Sequence, residues 1–250
     1  MAKAEVSIIL PNYNSSEFIE KTINSILKQT YKHWKLIIVD DCSDLKTIKI
    51  LKKYRQHKKI KIIFLKKNKG AGFCRNLAIS KSKSRYLAFI DSDDTWNKNK
   101  LKFQINFMEK NYHNFTYSYY NTYNHKTKKI NKIKTPGSFN FENFIKNTSI
   151  ATSSMIITRS LTKKIKFKNL KVCEDFFYKC QLLKKNINAI CIKKHLMNYS
   201  IRQNSLQSNK IRILFWMYKI NKNYNKFNFF INIKSLFFIA INSIKKYGLK

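Results

Sequence analysis

The chain has 250 residues, 44% of them hydrophobic and 14% aromatic, which is enough to bury a core and excludes disorder throughout. Its 51 Lys and Arg against 13 Asp and Glu give a formal charge of +38, so a nucleic-acid or anionic-membrane partner has to be weighed from the outset. The five cysteines form no CxxC pair and have no His at metal spacing, which argues against a zinc site and against a disulfide framework.

The start, "MAKAEVSIILPNYN", carries neither a basic n-region nor an apolar h-region of signal length, so the expected location is the cytoplasm. "VSIILP" (Val6 to Pro11) reads as a buried strand. Ile19, Ile23, Ile26 and Leu27 follow at helical spacing, with Ser15 and Ser16 as N-caps. "KLIIVD" (Lys35 to Asp40) is a second strand, with a helix through Ile48, Leu51 and Tyr54. "IKIIFL" (Ile60 to Leu65) is a third strand, and a helix over about 72–81 leads to a fourth, "YLAFID" (Tyr86 to Asp91). Continuous Ile, Val and Leu strands separated by helices predict an α/β fold whose mostly parallel sheet is covered on both faces.

A helix around Leu101, Ile105 and Met108 comes next, then a Tyr- and Asn-rich stretch to about Phe139 that reads as no particular element. "IATSSMIIT" (Ile150 to Thr158) is expected to be a strand. Phe176, Cys180, Leu183 and Ile187 then share a helical face, which puts Glu174 and Asp175 in that helix's first turn. From Phe176 onward there is no acid, against 15 Lys and Arg. The tail from about Ser205 reads as two helices, the last with Phe230, Ile233, Phe237, Ile241 and Ile244 at helical spacing. Its uncharged run from Ser235 to Ile244 is far short of the roughly 20 residues of a bilayer crossing. Docking on the domain is the reading preferred over lying on a membrane surface.

Acids are scarce, and seven of the 13 fall in three groups: Asp40 and Asp41; Asp91, Asp93 and Asp94; Glu174 and Asp175. Like charges this close repel unless a cation or polar ligand uses them. The first two groups lie just outside the carboxyl ends of strands, as does the loop "NKGAGFCRN", and this is where parallel sheets bind ligands. Paired carboxylates at a strand end suit a hard cation bridging to diphosphate oxygens. The alternatives are Asp-rich caps, and for the pair at 174 and 175 a helix terminus favoured by the macrodipole.

"VSIILPNYN", "LIIVDDCS", "NKGAGFCRNLAI", "YLAFIDSDD" and "CEDFFYKCQLL", in this order, resemble the family 2 glycosyltransferases of the GT-A fold, from Val6 to about Gln207. The resemblance implies a Rossmann-like GT-A sheet and a metal-dependent, inverting transferase. Its donor would be a nucleotide diphosphate sugar, usually of uridine, its acceptor a hydroxyl of a glycan or lipid-linked glycan, and its cofactor Mg or Mn. It implies residues 1–114 as the nucleotide-sugar half, 115–204 as the acceptor half and 205–250 as a helical extension. By position, Pro11, Tyr13 and Asn14 match the loop near the base, Asp41 the uracil contact, Asp93 the ribose contact and Asp94 the metal ligand, with Asp91 assisting. Arg75 matches the Arg of the family's "ARN" and would approach the nucleotide, an ordinary helix-surface salt bridge being its other reading. Asp175 matches the catalytic base with Glu174 beside it, and Arg202 in "YSIRQNSLQ" is a diphosphate candidate. In that segment Tyr199 and Ser205 fit the family pattern, whereas Ser200 stands for its usual Arg and Gln207 for a common Ser.

Two other classes compete. A non-catalytic polyanion binder, on RNA or a membrane surface, explains the charge but not acids gathered at strand ends. Of the basic residues 45 are Lys and six Arg, accompanied by many Asn, Ile, Phe and Tyr and only four Gly and two Pro. That is the drift of an AT-rich coding sequence, and it favours a solvated surface over a dedicated polyanion site. A nucleotidyltransferase also uses paired Asp and metal, yet it wants a Gly-rich basic loop where this chain has "PNYN". Peripheral contact with the inner face of the cell membrane is compatible with the basic tail.

Overall fold

The computed structural model describes residues 5–202 and 210–247. In β1 (Val6–Asn12) every residue is buried, with Ile8 and Leu10 in one apolar cluster and Ile9 in another. Alternate residues of a strand face opposite sides, so the sheet must be covered on both. α1 (Ile19–Leu27) covers the first side with Ile19, Ile23 and Ile26. β2 (Trp34–Asp40) repeats the division, placing Leu36 and Ile38 with Ile8, and Ile37 and Val39 with Ile9. α2 (Leu45–Lys52) is capped by the Asp44 side chain, which accepts from the Thr47 N–H. β3 (Ile60–Phe64), α3 (Ala71–Ser80) and β4 (Tyr86–Phe89) complete the first series.

β5 (Thr95–Trp96) and α4 (Lys100–Lys110) lead into the stretch that the sequence left unread. It forms β6 (Phe115–Asn124), β7 (Ile130–Ile133) and β8 (Ser138–Phe139), followed by the short α5 (Phe141–Phe144). β9 (Ile156–Thr158), α6 (Glu174–Leu183), β10 (Ala189–Ile201), α7 (Lys210–Asn223) and α8 (Phe229–Tyr247) follow. The sheet runs β3-β2-β1-β4-β9-β6-β10-β5, with β7 on β6 and β8 on β10. β1 to β4 are mutually parallel, as are β6 and β10, while β9 runs antiparallel between β4 and β6.

Three expectations need correction. α1 begins at Ile19 without a side-chain cap, because the buried Ser15 hydroxyl donates to Asn12 Oδ1 instead. Only Ile156–Thr158 of "IATSSMIIT" is strand, since Thr152–Ser154 form a 3-10 turn in which Ser154 Oγ bonds back to the Ala151 carbonyl. The last helix docks on the domain, but not by its apolar stripe. Asn232, Ser235 and Ile239 are buried, whereas Phe230, Ile233, Phe237 and Ile244 are exposed. Ser235 Oγ donates to the Ile145 carbonyl at 2.7 Å and Asn242 Nδ2 to the Lys146 carbonyl at 3.0 Å.

Candidate active site

Pro11 closes a central strand without breaking it. β4 stops pairing with β1 at Ile9, so the missing Pro11 N–H costs no bond on that side. Beyond it the loops are fixed by their own polar residues. Asp40 accepts from Asn12 Nδ2 at 2.7 Å and from Ser43 Oγ at 2.6 Å. Asn14, at φ 44, donates its N–H to Ser43 Oγ and accepts from the Asp44 N–H. Tyr13 is left 51% exposed, free to meet a planar ligand. Asp41 is buried, and its two oxygens accept from the Lys69 and Gly70 N–H groups at 2.7 and 2.8 Å. The Cys74 thiol is a further hydrogen-bond partner of this carboxylate. Gly70 needs its φ of +87, and a Cβ on Gly72 would lie 2.8 Å from the Lys168 carbonyl oxygen. The room at Gly72 is thus filled by the chain itself.

The acids after β4 point in different directions. Asp94 is 1% exposed, and its oxygens accept from Ser153 Oγ and the Ser200 N–H. Burial, then the charges of Asp93 and Asp91, push its carboxyl well above the usual range. This side chain, the expected metal ligand, ties the loop to β10 and faces inward. Ser200 contributes its backbone N–H, so the departure from Arg there leaves the tie intact. Asp93 and Asp91 each give one oxygen to an arginine, Asp93 Oδ2 to Arg202 and Asp91 Oδ1 to Arg75, both at 2.7 Å. Burial raises the Asp93 carboxyl, Arg202 opposes it, and Asp91 raises it further.

Arg75 is no helix-surface salt bridge. It is 4% exposed and spans Asp91 and Glu174 at 2.7 Å each, stacked 5.2 Å from the Phe167 ring centre. It therefore fixes the loop after β4 to the start of α6. Burial alone would lower its pKa, but Asp91 and Glu174 keep it raised and charged. Breaking a buried ion pair strands its partner charges. Arg75→Met is expected to cost about 3–5 kcal/mol, read as a lower urea midpoint at unchanged slope.

Glu174 and Asp175 follow Cys173, whose φ of 62 is unusual for a side chain and turns the chain sharply into α6. Neither acid is spent on capping: Glu174 meets Arg75, and Asp175 Oδ2 accepts from Thr152 Oγ1 at 2.8 Å and Lys179 Nζ at 2.7 Å. Burial would raise the Asp175 carboxyl. Lys179 and Arg75 outweigh it and hold the group below the usual carboxylate range.

Asp91, Arg75, Glu174 and Asp175 line one cavity of about 540 Å³. Tyr120 and Tyr199 line it as well, and α7 and α8 close it with Leu214, Met217 and Ile239. Lys246 faces the same space, its pKa lowered to about 8 by burial and by Lys179. Lys179 was legible as a residue four positions after Asp175, an ordinary helical pair. Thr152, Ser153 and Lys246 carried no sequence signal. Ser205 and Gln207 lie outside the described residues.

No group of three or more His, Cys, Asp or Glu that could hold a metal occurs among the described residues. Asp91 and Asp93 nevertheless fit a hard divalent ion that a ligand helps to coordinate. Each keeps one oxygen apart from its arginine bond, and their mutual repulsion, evident at Asp93, is what a cation would relieve.

The family model for glycosyl transferase family 2 matches residues 7–189. The chain is 37% identical over 210 residues to TuaG of Bacillus subtilis (strain 168), which carries the provisional name of a teichuronic acid biosynthesis glycosyltransferase, covering 83% of each. It is 35% identical over 211 residues to WfgD of Escherichia coli, a UDP-Glc:alpha-D-GlcNAc-diphosphoundecaprenol beta-1,3-glucosyltransferase, covering 84% of this chain and 82% of that one. Among solved structures it superposes on Staphylococcus aureus TarS 1-349 in complex with UDP-GlcNAc at a TM-score of 0.75 and 23% identity, over 96% of this chain and 73% of that one.

Proposed function

The chain belongs to glycosyl transferase family 2, and from that premise we propose that it transfers a sugar from a uridine diphosphate sugar to a hydroxyl of a lipid-linked glycan. Residues 1–114 serve as the donor half and 115–204 as the acceptor half, and the extension from 205 supplies a cavity wall. Pro11, Tyr13, Asn14 and Asp41 form the nucleotide end, with Tyr13 as the exposed ring and Asp41 as the acceptor for a uracil N–H.

Asp91 and Asp93 are the residues that would hold Mg or Mn in this arrangement, with the enclosed Asp94 beside them. When bound, the ion neutralises the diphosphate leaving group. Arg202, which holds Asp93 and is itself partly exposed, is placed to follow the diphosphate. Arg75 keeps Asp91 and Glu174 in register with each other.

Asp175 Oδ1 takes the proton of the acceptor hydroxyl as that oxygen attacks the anomeric carbon opposite the diphosphate, which inverts the configuration. The observation that carries this reading is the single cavity shared by Asp91, Glu174 and Asp175. Within it Asp175 is held ionised through Oδ2, and Oδ1 is left for the proton. The cationic rim of Lys246 and Lys171 and the apolar wall from α7 and α8 suit an acceptor bearing phosphate and a lipid. Such an acceptor would be met at the cytoplasmic face of a membrane.

The test is UDP release from a panel of UDP-sugars with a glycosyl-diphospho-polyprenol acceptor and Mn. Acceptor-dependent release, abolished by chelation, is expected with at least one donor. Acceptor-dependent turnover of other nucleotide sugars alone would overturn the donor assignment, and full activity in chelator would overturn the metal.

A further inference from the structure

We propose that the outward face of the α7–α8 hairpin docks on an anionic phospholipid bilayer. This rests on the lipid-linked acceptor reading and names the surface that would serve it. Fourteen large hydrophobic residues are exposed among the described residues, and nine of them lie in this hairpin. The core of the patch is Phe229, Phe230, Ile233 and Phe237, which are 46–81% exposed. A concentration of this kind on one element is a mark of an interaction site rather than ordinary surface.

The faces of α8 divide in an unusual way. Its partly polar stripe, Asn232, Ser235 and Asn242, is turned into the protein by hydrogen bonds to α7 and to the Ile145 and Lys146 carbonyls. Its aromatic stripe is thereby left outside. A helix that only completed the core would present the opposite face.

Charge decides between occupants. The hairpin has no acid, and Lys219, Lys222, Lys226, Lys234 and Lys245 are exposed around the apolar stripe. A second copy would bring the same cations against them, whereas anionic headgroups complement them, and the aromatic rings reach the acyl boundary. No described helix is long and apolar enough to cross a membrane, so contact by this face would be interfacial. Ile244 belongs to both the exposed stripe and the cavity lining, which sets the cavity edge at the docking surface.

The experiment is flotation of the full chain with phosphatidylcholine vesicles, with and without phosphatidylglycerol. Wild type is expected to float with the anionic vesicles only, less so in high salt. The triple variant Phe230→Ser, Ile233→Ser, Phe237→Ser should lose at least tenfold in partitioning, while Tyr112→Ser, an exposed apolar residue elsewhere, should not. Should the triple variant fold poorly, Lys222→Glu with Lys226→Glu and Lys234→Glu gives the same reading through charge. Unchanged flotation of folded variants overturns the proposal. So does self-association through this face, or RNA binding, without any vesicle binding. UDP binding measured without vesicles separates the two ideas: binding without flotation sinks only the docking face, and flotation without binding sinks only the transferase reading.

Discussion

Asp175→Asn is expected to lower turnover by about 10²–10⁴-fold, the usual contribution of a positioned general base, while calorimetry finds UDP binding intact. The amide cannot accept the hydroxyl proton, so the acceptor oxygen must attack without losing it. The substitution also leaves Lys179 buried against neutral acceptors, the Ile150 carbonyl at 2.9 Å among them, in place of a carboxylate. Some loss of melting temperature is therefore expected as well. Retained UDP affinity separates lost chemistry from lost fold, and turnover equal to wild type would remove Asp175 as the base.

The same pair fixes a pH dependence. Burial pushes the Asp175 carboxyl up, but Lys179 and Arg75 bring it below its ordinary value. A depressed folded-state pKa contributes stability above the unfolded value, about 4, and loses it as pH falls through the folded value. As the proposed base, Asp175 is thus ionised through the whole neutral range and should impose no acid limb there. In Lys179→Met, burial has less to oppose it and the carboxyl rises, so an acid limb in kcat/KM should move toward neutral pH. Turnover at high pH should survive in that variant, since the carboxylate is still present.

The parallel half of the fold was legible because β1 and β2 are largely runs of Ile, Val and Leu buried on both faces, β3 and β4 are short apolar runs, and the helices between them repeat at about 3.6 residues. β6 and β7 were not, since Tyr, Asn and Lys in them pair with neighbouring strands whose positions only the tertiary structure sets. The acidic groups were found for a sound reason, their rarity and their strand-end positions. What one sequence does not contain is the direction of a side chain. Asp93 and Asp94 are neighbours in the same loop, yet Ser153 and Ser200, distant in the chain, turn one of them inward. The tail shows the same limit. The helical stripe of Phe230, Ile233 and Phe237 was plain, but Ser235 and Asn242 decide which face meets the protein.

Asp93→Ala and Asp94→Asn should therefore behave oppositely. Asp93 keeps an oxygen apart from Arg202, and its removal takes away one of the two carboxylates proposed to hold the ion. Mn-dependent UDP binding should weaken by more than tenfold, and turnover should fall by at least about 10²-fold, the scale of one lost electrostatic contact to a developing charge. Asp94 is enclosed, and an amide oxygen can still accept from Ser153 Oγ or the Ser200 N–H. Asp94→Asn should keep Mn-dependent binding within a few-fold of wild type and express any loss as a lower melting temperature. Asp94→Ala, which strands two donors at this site, should cost about 1–3 kcal/mol per unsatisfied group. If Asp94→Asn abolishes Mn-dependent binding and Asp93→Ala does not, the inward side chain must rotate to reach the ion. The metal would then return to the position that the motif alone suggests.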